Sequence, residues 1–260
     1  MRKSRVTRRA PAGDEVAMEI LLLAGAGIAG GICNAIAGGG TFFTFPALIA
    51  VGIPPVVANA TSALSIWPGH AVSLLGTRRV LAANARRVRE GGATFAVGSL
   101  VGAALLIASG DRVFGAAIPW LILFATALFA GGPALRRHLA RQRRTPPPAA
   151  ILAMEFAAAV YGGYFGAGLG IILLALLTVT GIEPPSVANV LKNALATVAT
   201  SVAILLFALT GTIDWGAAAI VFAGAAAGGV IGGRLAARVP ANALRAIVVA
   251  VGLGLAWHYF

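Results

Sequence analysis

Two stretches of this chain are written twice. Asn34-Ala35-Ile36-Ala37-Gly38-Gly39-Gly40-Thr41 is followed by Pro54-Pro55-Val56-Val57-Ala58-Asn59. A shift of 130 positions carries Gly38 onto Gly168 and Asn59 onto Asn189. Five of the six residues in Pro184-Pro185-Ser186-Val187-Ala188-Asn189 match the first proline run, and Gly98 and Gly102 fall on Gly228 and Gly232. The chain therefore reads as a duplicated unit. Each copy has a long apolar span ending in glycines, a short apolar piece, prolines, and a long span carrying amides and hydroxyls. In lipid every backbone N–H and C=O needs an internal partner, so a glycine break survives only where protein or a wet cavity covers it. Paired, interrupted hydrophobic segments, one per half, point to a transporter's binding site.

Composition agrees with a bilayer as solvent. Only 11% of the residues are charged and 59% are hydrophobic, with a mean hydropathy of +0.90. A soluble protein carries roughly 25% charged residues. The expected class is all-α and polytopic: two tandem repeats of about four transmembrane helices each, with re-entrant half-helices after the glycine motifs. The organisation reads as a basic cytoplasmic leader over 1–15, a first repeat over 16–135, a basic Pro-rich cytoplasmic linker over 136–148, and a second repeat over 149–260. A signal peptide or twin-arginine reading of the leader does not suit the apolar span 16–37, which runs straight into more membrane sequence.

Span lengths support this division. Residues 41–51 would reach only ~16 Å as helix, about half a bilayer, and 171–180 is its counterpart. Full crossings are expected at 16–37, 54–75, 91–109, 113–135, 149–166, 184–209, 215–233 and 241–258. This count gives parallel halves with both termini cytoplasmic. It leaves Arg234 and Arg238 outside and the inner turn 210–214 without arginine. An odd number of crossings per half would invert the second repeat and move those arginines inside. Three basic segments agree with the parallel count, by the positive-inside rule.

The net charge of +12 is spread over short segments between apolar spans, which suits membrane orientation and excludes nucleic acid as the expected partner. Of 20 basic residues only Lys3 and Lys192 are lysines. Lys192 stands ~12 Å into its helix, where a lysine costs about 2.5–3.5 kcal/mol on insertion scales. Such a residue serves an anion, faces a cavity, pairs with Glu155 or Asp214, or snorkels. Asn189, Lys192, Asn193, Thr197 and Thr200 share one helical face, and in the first copy Asn59, Ser62, Ser65, His70 and Ser73 are polar, mostly on the matching side. Hydroxyls and amides also serve as packing glue between membrane helices.

The candidate substrate-binding set is Lys192, Asn59, Asn189, Asn193, Asn34, Gly38, Gly39, Gly40, Thr41, Thr61, Ser62, Gly168 and Gly170. Half-helix N-termini at the breaks favour anions. His70 and Glu155 are candidates for proton coupling. No metal and no cofactor is expected: three scattered His and one Cys offer no ligand spacing. There is also no Gly-x-Ser-x-Gly elbow, no His-Glu-x-x-His and no P-loop, so an enzyme or an ATP-driven pump is not expected. The expected partners are a small anion and the bilayer, with self-association left open.

Asn34…Gly38-Gly39-Gly40-Thr41, Gly52-Ile53-Pro54-Pro55…Ala58-Asn59-Ala60-Thr61-Ser62 and Gly162-Gly163-Tyr164-Phe165-Gly166-Ala167-Gly168-Leu169-Gly170 resemble the TauE/SafE sulfite exporter family over roughly residues 16–256. The resemblance implies a duplicated membrane architecture and export of sulfite, organosulfonates such as sulfoacetate, or other small sulfur compounds, from the inner membrane. Lys192 departs from the pattern expected at its position. An anion channel of the same fold, or a non-transporting membrane assembly protein, are the rival readings.

Overall fold

The computed structural model describes residues 13–36, 38–141, 146–235 and 241–259. The leader's basic residues Arg2, Lys3, Arg5, Arg8 and Arg9, with Arg143, Arg144 and Arg238, lie outside the described residues. The described chain is helical: α1 (Gly13–Ile36), α2 (Thr41–Ala50), α3 (Pro55–Val72), α4 (Arg78–Ala83), α5 (Ala85–Arg141), α6 (Pro148–Tyr164), α7 (Leu169–Val179), α8 (Pro185–Leu209), α9 (Trp215–Leu235) and α10 (Ala241–Tyr259). Four of these (14–36, α5, α8 and α9) are long and apolar enough to cross a membrane, and α2 and α7 are the short apolar pieces. Prolines open α3, α6 and α8, where a missing N–H costs nothing. Glycines with positive φ end α2 and α7: Ile53 N–H reaches back to Leu48 and Ile182 N–H to Leu177, both at 3.1 Å, which satisfies carbonyls that the helix end frees.

The spans expected at 91–109 and 113–135 are the two arms of α5, which part at Gly110 with φ 64° and ψ 174°. The short helix α4 was not anticipated; at six residues it is too short to show a period.

The helices interlock across the repeats. Under the duplication, α1 corresponds to α6 and the first arm of α5 to α9. Yet α1 packs on α9, and α6 packs on the first arm of α5. Glycines make both contacts close. Gly27 faces Gly224, Ile28 faces Gly228 and Ile32 faces Gly232. Gly98 faces Phe156 and Ala159, while Gly102 faces Val160. Residue numbers rise together in both pairs, so each pair is parallel. Lipid supplies no hydrophobic drive between helices, so small residues that bring backbones together carry the association.

The repeat-equivalent helices α3 and α8 run in opposite directions. Trp67 Nε1 donates to Ser201 Oγ at 2.8 Å and His70 bonds Asn193. Earlier in α3, Thr61 Oγ1 accepts the N–H of Asp214, beyond the end of α8. The halves are thus mutually inverted, and the parallel count fails. Its failure has a charge signature. Arg78, Arg79, Arg86, Arg87 and Arg89 sit at one end of the bundle with Arg136, Arg137, Arg141, Arg234 and Arg245. The equivalent loop of the second repeat, 210–214, is at the other end and carries no arginine. That opposite end holds Asp14, Glu15, Asp111, Arg112 and Asp214. Because α1 is parallel to α9, Gly13 lies there too, away from the arginine-rich end.

Candidate functional site

Both glycine breaks meet along the second arm of α5. Gly38 (φ 68°) and Gly168 (φ 78°) take left-handed backbone, which side-chain-bearing residues rarely adopt. Gly39 lies against Phe129, and Gly168 against Ala125 and Leu128. Thr41 and Ala167, one from each break, line a common gap of about 10 Å³ with Phe42, Phe45, Ile122, Phe165 and Leu255. The expected convergence of the two breaks is therefore present, but the gap between them holds one water at most and its walls are apolar. The phenylalanines close it edge-to-face: Phe45 stands 5.7 Å from Phe165 and 6.1 Å from Phe114.

The polar groups around the breaks are largely spent on one another. Thr44 Oγ1 donates to the Gly40 carbonyl at 3.3 Å and lies 2.6 Å from Ser62 Oγ. Gly40 packs on Gly30, and Asn34 stands beside Gly69. The Tyr161 hydroxyl donates to the Ala167 carbonyl at 2.5 Å. Asn59 Nδ2 donates to the Tyr164 carbonyl at 3.1 Å, so a buried amide of the first repeat satisfies the frayed helix end of the second. Its Oδ1 is buried without a partner. The free atom is an acceptor, suited to water or a protonated group and not to an anion's oxygen. Thr61 is occupied by Asp214. These contacts make Asn59 and Ser62 supports of the breaks, while Thr61 ties α3 to the loop before α9.

The cationic part of the site lies nearer the arginine-rich end. Lys192 is half-buried, and its Cδ packs 3.6 Å from where a Cβ on Gly170 would stand. It is thus pressed against the first turn of α7. Its neighbour Asn193 is buried and bonds His70 of α3, and Lys192 is close enough to both His70 and Arg136 for their charges to interact. Among the described residues Lys192 makes no ion pair. Glu155, considered above as its partner and as a proton carrier, is instead buried in an ion pair with Arg87, which ties α6 to the start of α5. Asp214 is also committed elsewhere: its Oδ1 accepts the Ala217 N–H at 2.9 Å and caps α9.

Asn189 is the clearest departure from expectation. It is exposed near the start of α8, whereas Asn59 is 3% exposed. Inversion puts the equivalent helix starts at opposite ends of the bundle, so matching residues meet different neighbours. The site thus brings together Lys192, Asn193, His70 and Gly170, with Asn34 close by on Gly69, and leaves Asn189 out. Arg136 is the neighbour that sequence reasoning missed: it opens a run of basic residues, and nothing in that run marks which one folds back on the bundle. A larger groove, about 690 Å³ between α1, α2 and α10, is lined by apolar side chains with His258 and Tyr259 at one end. It offers an anion little to bind.

A family model described as "Sulfite exporter TauE/SafE" matches residues 23–259. The chain is 30% identical over 226 residues to a "Probable membrane transporter protein" of Haemophilus influenzae, covering 86% of this chain and 87% of that one. It is 29% identical over 225 residues to the "Probable membrane transporter protein YfcA" of Escherichia coli K12, covering 85% and 82%. A Sinorhizobium protein, also named a probable membrane transporter, is 29% identical over 232 residues, covering 87% and 86%. No solved structure matches.

Proposed function

We propose, since the chain belongs to the sulfite exporter TauE/SafE family and is a membrane transporter, that it exports a small sulfur-containing anion such as sulfite or an organosulfonate. Lys192 carries this reading. It is an ammonium half-buried among apolar helices, held against a helix N-terminus, and among the described residues no carboxylate pairs with it. Such a cation persists where an anion visits. Asn193 and the start of α7 supply hydrogen-bond donors beside it, replacing part of the anion's water. The aromatic plug of Phe45, Phe114 and Phe165 separates this mouth from the far end of the bundle. That separation favours alternating access over an open channel.

The arginine-rich end is assigned to the cytoplasm by the positive-inside rule, in the inner membrane. The mouth beside Lys192 then faces the compartment from which cargo is exported. In this reading Gly13, the first described residue, falls on the outer side. A negative-inside potential favours anion exit by about 2.3 kcal/mol per charge per 100 mV, so export needs no obligatory co-ion. His70, at the same mouth, is the group whose protonation would add charge beside the cargo.

The test is sulfite efflux from proteoliposomes. Lys192→Ala abolishes flux while the protein stays monodisperse in detergent, and Lys192→Arg retains part of it. Wild-type flux in Lys192→Ala removes this residue from the mechanism.

A further inference from the structure

We infer that Arg136 is a second anion-binding residue of this site, contributed by the other repeat, and that the preferred cargo carries two negative charges or two separated oxyanion groups. The inference rests on the transport reading above and deepens it. Geometry places the two cations along α7: Lys192 against its first turn, and Arg136 on the α5 face that packs on Ile171, one turn further toward the arginine-rich end. Gly132 of α5 packs against Ile171, and a Cβ there would meet the Ile171 Cγ2 at 2.8 Å. Arg136 is one helical turn further along α5, on the same face. Lys192 touches Gly170, the residue before Ile171. The Nε of Arg136 is buried and has no hydrogen-bond partner.

The acids of the chain are all accounted for. Glu90 pairs with Arg86 and Glu155 with Arg87. Asp111 accepts the Val56 N–H at 2.9 Å, and Asp214 caps α9. Asp14, Glu15 and Glu19 lie in the first turns of α1, toward the opposite end, and Glu183 is exposed in the loop before α8. Two like charges and a helix N-terminus therefore converge with no protein anion between them. Burying an unmade charged donor is costly, and an incoming anion removes that cost.

The two cations are chemically distinct. A guanidinium presents a planar fork that matches two oxygens of one sulfonate or carboxylate, whereas an ammonium acts as a point charge. Arg136 moves with α5 of the first repeat and Lys192 with α8 of the second. A bound dianion cancels their repulsion and draws the two repeats together, so occupancy itself favours closure.

The experiment measures stabilisation of the purified full-length protein in detergent by sulfoacetate, sulfite and methanesulfonate, with chloride held constant. Wild type, Arg136→Ala, Arg136→Lys and Lys192→Ala are compared, and monodispersity of each variant is checked first. Arg136→Ala weakens sulfoacetate binding about ten- to a hundredfold and methanesulfonate much less, with Arg136→Lys between. Unaltered sulfoacetate binding in Arg136→Ala, with binding lost in Lys192→Ala, overturns the inference and leaves the transport reading standing. Wild type binding methanesulfonate as tightly as sulfoacetate overturns the two-charge preference. Wild type binding none of the three overturns both readings together.

Discussion

Gly224→Ala tests the close packing of α1 on α9. A Cβ on Gly224 would stand 2.5 Å from the Ala24 carbonyl oxygen and 3.2 Å from Gly27 Cα and Ile28 N. All three are backbone atoms, so no side chain can swing aside. Ordinary contact begins at 3.4 Å, so α1 and α9 must part by the 0.9 Å difference. A gap of that size forfeits a quarter to a half of each atom pair's ~0.1–0.2 kcal/mol. Over about 40 pairs along the contact the loss is ~2–3 kcal/mol, in line with overpacking costs elsewhere. Replacing glycine within a helix returns up to ~1 kcal/mol, leaving a net loss of ~1–2 kcal/mol. Gly229→Ala is the internal control. It lies on the same helix with nothing within 4 Å of the new methyl, so only the ~1 kcal/mol gain applies. The two variants should therefore differ by ~2–3 kcal/mol. The assay is the temperature at which the monodisperse peak falls by half after heating in detergent. Equal midpoints for the two variants would refute the close packing of α1 on α9.

Two further predictions concern buried polar links. Arg87→Ala or Glu155→Gln alone should each cost about 3–5 kcal/mol, while an Arg87→Met, Glu155→Leu double variant recovers most of it; additive losses in the same heating assay would show that the pair is not coupled. Tyr161→Phe strands the Ala167 carbonyl at the second break and should cost about 1–3 kcal/mol with slower efflux, so a variant with wild-type stability would mean that the carbonyl finds water instead.

The helices themselves were legible because their limits are chemical. Glycine runs, paired prolines and basic clusters bound each apolar span, and α1, α2, α7 and α8 begin and end within a few residues of where those signals put them. Direction was not legible in the same way. A repeat pattern says that two segments fold alike, not which way each crosses. The missing arginine at 210–214, against Arg78, Arg79, Arg86 and Arg87 around the connection from α3 to α5, is the available clue, and the other basic segments outweigh it. The same blindness explains Asn189. Its motif equals that of Asn59, but burial depends on neighbours from the other repeat, which inversion changes. Lys192 was visible because a lone cation within a span is costly wherever the helix goes. Arg136 was not, because its backbone lies among residues that look like any cytoplasmic loop.

The exchange of partner helices bears on how such a bundle can arise. Neither half has a complete packing surface of its own: α1 lacks its mate without α9, and α6 lacks its mate without the first arm of α5. Two half-length chains inserted head-to-tail in one bilayer would meet the same need. Joining them end to end ensures one copy of each insertion sense at equal dose. It also frees each half to keep only those basic loops that suit its own sense, as most of the described arginines do.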